Sequence, residues 1–138
     1  MNPRGCAGLG SLGVETTIDE LAAGVRVALA RGDVAAFAEF LDPDVTWGAP
    51  SARNPTCKNR TQVLNWYQRA QESGIHASAT SVEVVGDHLV VSLVVQGTND
   101  ARERGGTNLR FQVLTVRAGQ IVDIVGFDDK AEALSYAQ

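Results

Sequence analysis

The hydrophobic residues of this 138-residue chain change their spacing near Ala77, and this change limits the folds that the chain can adopt. Before Ala77, apolar residues recur at steps of three and four, which places them on one face of an α-helix. After Ala77, apolar and polar residues alternate in runs rich in valine, as in β-strands. Helices followed by strands are typical of an α+β fold, with the helices packed on one face of a curved antiparallel sheet.

The helical part contains signals for three helices. Thr17 and Glu20 have the spacing of a capping box, which predicts the start of the first helix. Asp33 is expected to cap a shorter second helix, and either Asn59 or Thr61 is expected to cap the third.

The strand part contains signals for two hairpins and a short terminal helix. Gly86-Asp87 and Ala118-Gly119 are predicted to form two-residue turns between antiparallel strands. Residues 98–107 are polar and are interpreted as a loop. Asp129 and Glu132 have the spacing of a second capping box, so a helix is expected to follow.

Length and composition limit the classes of function. The chain is long enough for one domain, predicted at 17–138, after a glycine-rich flexible leader at 1–16. The net charge of -4 and the scattered basic residues argue against nucleic acid as a partner. No apolar stretch has the length of a membrane span or of a secretory signal, so no membrane partner and a cytoplasmic location are predicted.

The two cysteines and two histidines indicate neither a disulfide framework nor a metal site. Cys6 and Cys57 either bridge, which would tie the N-terminal segment, or remain free thiols, and the free form is favoured in a reducing cytoplasm. His76 and His88 are isolated, and His88, beside a predicted turn, is expected to be exposed. We therefore predict no metal and no cofactor.

Four sequence segments, in the order of the predicted elements, resemble those of a known protein family. They are Ala30-Arg31-Gly32-Asp33, Leu41-Asp42-Pro43-Asp44-Val45-Thr46-Trp47, Cys57-Lys58-Asn59-Arg60 and Val113-Leu114-Thr115-Val116-Arg117-Ala118-Gly119-Gln120-Ile121. In this order they resemble the nuclear transport factor 2-like superfamily, in particular its SnoaL-like branch. The resemblance implies a cystatin-like cone around one pocket. It also implies a choice of activities, since the superfamily includes polyketide cyclases, ketosteroid isomerases, epoxide hydrolases and members without known activity.

The catalytic residues that this resemblance implies are missing from the chain. The isomerase Asp falls at Ala49 and the isomerase Tyr near Val25. The epoxide hydrolase Asp falls near Gly126, and the cyclase His-Trp pair falls at Ile124-Val125. Two functions stay open: an acid–base isomerase or cyclase that acts on a hydrophobic carbonyl compound, or a non-catalytic protein that binds a small apolar molecule or serves as a dimeric interaction module.

The second predicted hairpin suggests how a pocket wall is built. A two-residue turn at Ala118-Gly119 would pair Thr115 with Val122, Val113 with Ile124, and Phe111 with Gly126. Because Trp66 and Tyr67 are consecutive on a helix, one is expected in the core and the other as a lid or interface residue. The residues expected to line the ligand pocket are Trp47, Trp66, Tyr67, Phe111, Val113 and Ile124.

Asp128 is the candidate catalytic residue, because it is the one carboxylate expected on that wall. Burial beside Phe111 would favour its protonated form and suit it to acid–base catalysis. The alternative is that Asp128 supports the start of the terminal helix next to Asp129.

The convex face of the sheet is expected to be apolar. Asp123 should point towards this face, together with Val125, Leu114 and Val116. Because an exposed apolar sheet face favours self-association, we predict a homodimer through it.

Overall fold

The computed structural model describes residues 17–48, 56–103 and 105–138. The predicted leader, Cys6 and the aligned position at Ala49 lie outside these residues. The elements, in chain order, are α1 (Ile18–Ala30), α2 (Val34–Ala38), β1 (Leu41–Gly48), α3 (Arg60–Glu72), β2 (His76–Val85), β3 (His88–Gln96), α4 (Asn99–Glu103), β4 (Asn108–Arg117), β5 (Gln120–Phe127) and α5 (Lys130–Ala137).

Side-chain caps begin the helices where the sequence predicts them. At α1, the Thr17 hydroxyl accepts a hydrogen bond from the Glu20 N–H at 3.2 Å, and the Glu20 carboxylate accepts one from the Thr17 N–H. Asn59, rather than Thr61, caps α3 by accepting a hydrogen bond from the Gln62 N–H at 2.9 Å. These contacts satisfy N–H groups that the first turn of a helix leaves unpaired.

The five strands form one sheet in the order β1-β5-β4-β3-β2. The antiparallel expectation is confirmed for β2 to β5, whereas β1 runs parallel to β5. The sheet is therefore mixed. The predicted loop at 98–107 contains one short helix, α4.

Helices cover both faces of this sheet: the N-terminal helices pack on one face, as predicted, and the C-terminal helix α5 covers the other. We call the face that packs against α1 to α3 the inner face, with Leu89, Leu114 and Ile124 in its core. The other, outer face is covered by α5, which buries Val90, Val113, Val125 and Phe127 beneath Ala133 and Ala137. Contacts of α5 extend across β3, β4 and β5.

The second hairpin has the predicted turn but not the predicted register. Ala118 and Gly119 have φ values of 52° and 78°, as a type I′ turn requires, and Arg117 pairs with Gln120. A β-bulge then leaves Val122 as an extra residue, so that Val116 pairs with Ile121 and Thr115 with Asp123.

The bulge makes the predicted pairs of β4 and β5 wrong by one residue. Phe111 pairs with Phe127 and Val113 with Val125, and these side chains belong to the outer face. Gln112 pairs with Gly126 and Leu114 with Ile124, on the inner face. The expectation of Leu114 and Val116 on the convex face is therefore wrong, because a shift of one residue exchanges the two faces of a strand.

Candidate functional site

A cavity of about 330 Å³ lies between the inner face and the helices α1 to α3. Cavities of this size hold small organic molecules. Most of its lining side chains are apolar. They include Leu29, Val34, Phe37, Trp47, Trp66, Ala70, Ile75, Ala77, Leu93 and Val95.

Four aromatic rings form one wall of this cavity. Trp47 stacks on Tyr67 with centroids 5.1 Å apart, and Trp66 meets Trp47 at 4.6 Å in an edge contact. Phe37 contacts Tyr67 edge-on at 5.9 Å. Trp66 and Tyr67, which are consecutive on α3, both line the cavity. Tyr67 packs against the inner core, whereas Trp66 is 39% exposed. The sequence leaves open which of the two faces inward, and the structure places Tyr67 there.

Tyr67 carries a hydroxyl in largely apolar surroundings. Burial raises the pKa of Tyr67 to about 12, a side-chain hydrogen bond with Gln112 partly lowers it, and the nearby Cys57 adds a smaller increase. Tyr67 is therefore protonated at neutral pH, when it can donate a hydrogen bond but cannot act as a base.

Gln112 is the partner of Tyr67 on the sheet side of the cavity. It is 6% exposed and lines the cavity from the middle of β4, opposite Gly126. Its Oε1 atom is buried and has no hydrogen-bond partner among the described residues. A buried acceptor without a partner is costly, so a ligand N–H or O–H group that donates to Gln112 Oε1 would gain affinity.

Asp128 lies at the surface rather than in a buried position. Its side chain is 81% exposed and forms an ion pair with Arg110, which does line the cavity. The expected burial of Asp128 beside Phe111 is therefore wrong. An exposed Asp128 lacks the burial that would favour its protonated form, so the reason for proposing it as a buried acid no longer holds.

The other predicted lining residues lie in three different places. Phe111 borders the cavity, but its side chain belongs to the outer-face core. Val113 is buried beneath α5, and Ile124 lies in the inner core without lining the cavity. The bulge at Val122 accounts for the misplacement of Val113.

Among the described residues that line the cavity, Asp33 carries the one carboxylate and there is no histidine. The Asp33 carboxylate accepts a hydrogen bond from the Ala36 N–H at 3.0 Å and thereby caps α2. His76 is exposed, and His88 is half-buried with its Nδ1 atom lacking a hydrogen-bond partner in the described ranges, so the expected exposure of His88 is wrong.

Cys57 is a buried free thiol, and its backbone pairs with that of Trp47. Burial raises the pKa of Cys57, and the charge of Arg69 lowers it in part. A raised thiol pKa reduces the thiolate fraction and does not suit a nucleophile.

In the described part of the chain, no three His, Cys, Asp or Glu side chains converge as metal ligands would, and no helix combines the length and apolar character of a membrane span.

Comparison with solved structures places the fold among cystatin-like proteins. A proposed polyketide cyclase from Sinorhizobium meliloti is 21% identical, with 81% of this chain and 99% of that chain covered and a TM-score of 0.60. A protein of unknown function with a cystatin-like fold from Xanthomonas campestris is 20% identical, with 88% and 98% covered and a TM-score of 0.63. A proposed ketosteroid isomerase from Kribbella flavida is 19% identical, with 78% and 73% covered and a TM-score of 0.61.

At these identities the likeness shows the fold alone. None of the curated proteins compared with the sequence matches it. Residues 22–124 match the SnoaL-like domain, and this range includes most of α1, the elements from α2 to β4, and the first part of β5. The chain therefore belongs to the SnoaL-like domain family of the nuclear transport factor 2-like superfamily.

Proposed function

We propose that this protein binds a small, mostly apolar molecule that carries one hydrogen-bond acceptor, such as a carbonyl oxygen. The observation that carries the proposal is the protonated Tyr67 hydroxyl, hydrogen-bonded to Gln112, in a wall that is otherwise aromatic and aliphatic. Such a combination of apolar enclosure and a few placed polar groups is typical of small-molecule sites.

The aromatic wall supplies the apolar part of the binding energy. Removing a ligand's apolar surface from water contributes about 25 cal/mol per Å². The Tyr67 hydroxyl, whose raised pKa keeps it protonated, can donate a hydrogen bond to an acceptor on the ligand. The hydroxyl thereby selects a ketone or a similar molecule over a hydrocarbon of the same shape.

Catalysis is the second candidate function, as an isomerase or cyclase that acts on a hydrophobic carbonyl compound. It is favoured by the family and by the protonated Tyr67, since a donor of this kind stabilises negative charge that develops on a carbonyl oxygen. It ranks second because the one carboxylate lining the cavity in the described ranges, that of Asp33, is engaged in capping α2. Deuterium incorporation next to the carbonyl of 4-tert-butylcyclohexanone, catalysed by the protein in heavy water, would favour the catalytic function.

Binding is tested by tryptophan fluorescence, because both tryptophans of the chain, Trp47 and Trp66, line the cavity. 4-tert-Butylcyclohexanone is titrated against the analogue in which a methylene group replaces the carbonyl oxygen. We expect Tyr67→Phe to weaken ketone binding about fivefold, the value of one neutral hydrogen bond, and to leave the methylene analogue unchanged.

Tyr136→Phe is the matched control, since Tyr136 is 43% exposed on α5 and does not line the cavity. This control should bind both probes as the original protein does. Equal affinity for the two probes in the original protein, or no binding of either, would contradict the proposed function.

A further inference from the structure

We propose that the ligand carries a carboxylate, and that Arg110 binds this carboxylate at the cavity mouth in place of Asp128. The inference rests on the proposed function, because it specifies the molecule that occupies the same cavity. The structural basis is a row of polar side chains on β4 that faces the aromatic wall.

The row consists of Asn108, Arg110 and Gln112, which alternate along β4 and all line the cavity. Alternate residues of a strand share one face and lie about 7 Å apart. Gln112 is 6% exposed at the inner end of the row, whereas the Arg110 side chain is 41% exposed nearer the solvent. A molecule lying along this row would have its apolar body inside and its charged group at Arg110.

Arg110 has the chemistry of a carboxylate receptor. It is the one lysine or arginine among the described residues that line the cavity. Its contact with Asp128 uses a single nitrogen, Nη1, and no other guanidinium nitrogen bonds to a partner in the described part of the chain. A guanidinium can bind a carboxylate through two parallel hydrogen bonds, so Arg110 has capacity for a better-matched anion.

Gly126 leaves the inner side of this guanidinium open. A Cβ atom at Gly126 would lie 3.6 Å from Arg110 Nη2, and apart from its chain neighbours no other described residue has a heavy atom within 4 Å. Since glycine carries no side chain, nothing from this position stands between the guanidinium and the interior of the cavity. The Nη2 group can therefore be approached from the cavity side.

Asp128 has the properties of a counter-ion that is readily displaced. Its side chain is 81% exposed, and it follows the end of β5, outside the residues that line the cavity. Ion pairs between exposed groups contribute little free energy, so releasing Asp128 to water costs little. A ligand carboxylate lies nearer the apolar cavity, where its attraction to the guanidinium is screened less.

Binding of 4-tert-butylcyclohexanecarboxylate and of 4-tert-butylcyclohexanone at neutral pH separates this inference from the proposed function. Isothermal calorimetry gives both affinities for the original protein, Arg110→Gln and Asp128→Asn. We expect the carboxylate to bind at least about tenfold more tightly than the ketone, and Arg110→Gln to remove that preference by weakening carboxylate binding far more than ketone binding.

Asp128→Asn should tighten carboxylate binding severalfold, because it removes the competing counter-ion, and should leave ketone binding unchanged. Arg117→Gln is the matched control, since Arg117 is exposed on the same strand and does not line the cavity. Circular dichroism of each variant shows that the fold is retained, and Arg110→Lys should recover part of the preference.

The remaining outcomes distinguish the inference from the proposed function. Ketone binding without a preference for the carboxylate would overturn the inference and leave the proposed function standing. The inference would also be overturned if Arg110→Gln weakened both probes equally, or if Asp128→Asn weakened carboxylate binding. Binding of neither probe would overturn both proposals.

Discussion

The Tyr67 hydroxyl combines a raised pKa with a side-chain hydrogen-bond partner in a cavity lined mainly by apolar side chains. Burial raises its pKa to about 12, which keeps it a donor over the whole physiological range, and its hydrogen-bond partner is the Gln112 side chain. A buried hydroxyl needs such a partner to offset desolvation. The same burial links Tyr67 to the stability of the domain at high pH.

Tyr67 should make stability fall at alkaline pH. The pKa is about 12 in the folded protein, and about 10 is expected for an unfolded chain, so the unfolded state loses its proton first. The contribution of Tyr67 to the free energy of unfolding is fully present below about pH 10. It falls by roughly 2 to 3 kcal/mol as the pH rises towards about 12. Between about pH 9 and about pH 11, the free energy of unfolding measured in urea should decrease more for the original protein than for Tyr67→Phe. Equal losses in the two proteins would contradict the assigned burial.

Gly126 should admit a side chain that fills the cavity. Because its Cβ position has only ordinary contact with Arg110, we expect Gly126→Leu to fold with unchanged or higher stability, since glycine weakens a strand interior. The leucine side chain would occupy the space over Gln112 and reduce binding of 4-tert-butylcyclohexanone at least about tenfold. Thermal unfolding and fluorescence titration measure the two effects. Ala131→Leu, at an exposed site on α5, is the size-matched control, and undiminished binding to Gly126→Leu would place the ligand elsewhere.

At the scale of elements, the sequence predicts features that local chemistry determines. The caps at Thr17, Asp33 and Asn59 and the turn at Ala118-Gly119 are confirmed, because each depends on residues within a few positions. The bulge at Val122 depends on pairing between strands, and its own segment shows no sign of it.

This bulge is why the candidate site is only partly predictable. Trp47, Trp66 and Tyr67 lie outside the second hairpin, and all three line the cavity. Arg110 and Gln112 are not predicted, because the unbulged register assigns their strand face to the exterior. Their signal in the sequence is the alternation of polar residues along an otherwise apolar strand.

The helix α5 should stabilise the outer face by covering it. Ala133 is fully buried against that face, so Ala133→Asp would place a charge in an apolar contact and lower the free energy of unfolding by about 2 to 4 kcal/mol. Ala131→Asp, exposed in the first turn of the same helix, should change it by less than about 0.5 kcal/mol. Urea denaturation measures the free energy of unfolding of both variants. Equal decreases for Ala133→Asp and Ala131→Asp would show that α5 is not packed on the sheet.

At the scale of the whole molecule, the sheet separates a cavity side from a packing side. Helices α1 to α3 enclose the cavity on the inner face, while α5 buries the centre of the outer face. The homodimer through the outer face stays a prediction, and any such contact has to include α5, whose Tyr136 is 43% exposed. Light scattering of Tyr136→Glu against the original protein would detect the loss of such a dimer.

The central claim is that the space between the inner face and α1 to α3 is where a small molecule binds. The most direct measurement is the set of backbone amide shifts in ¹H–¹⁵N NMR spectra on addition of 4-tert-butylcyclohexanone. The largest changes are predicted at Trp47, Tyr67, Gln112 and Gly126, which line the cavity from four different elements. Changes confined to α5 and the outer face, with these four residues unmoved, would contradict the account.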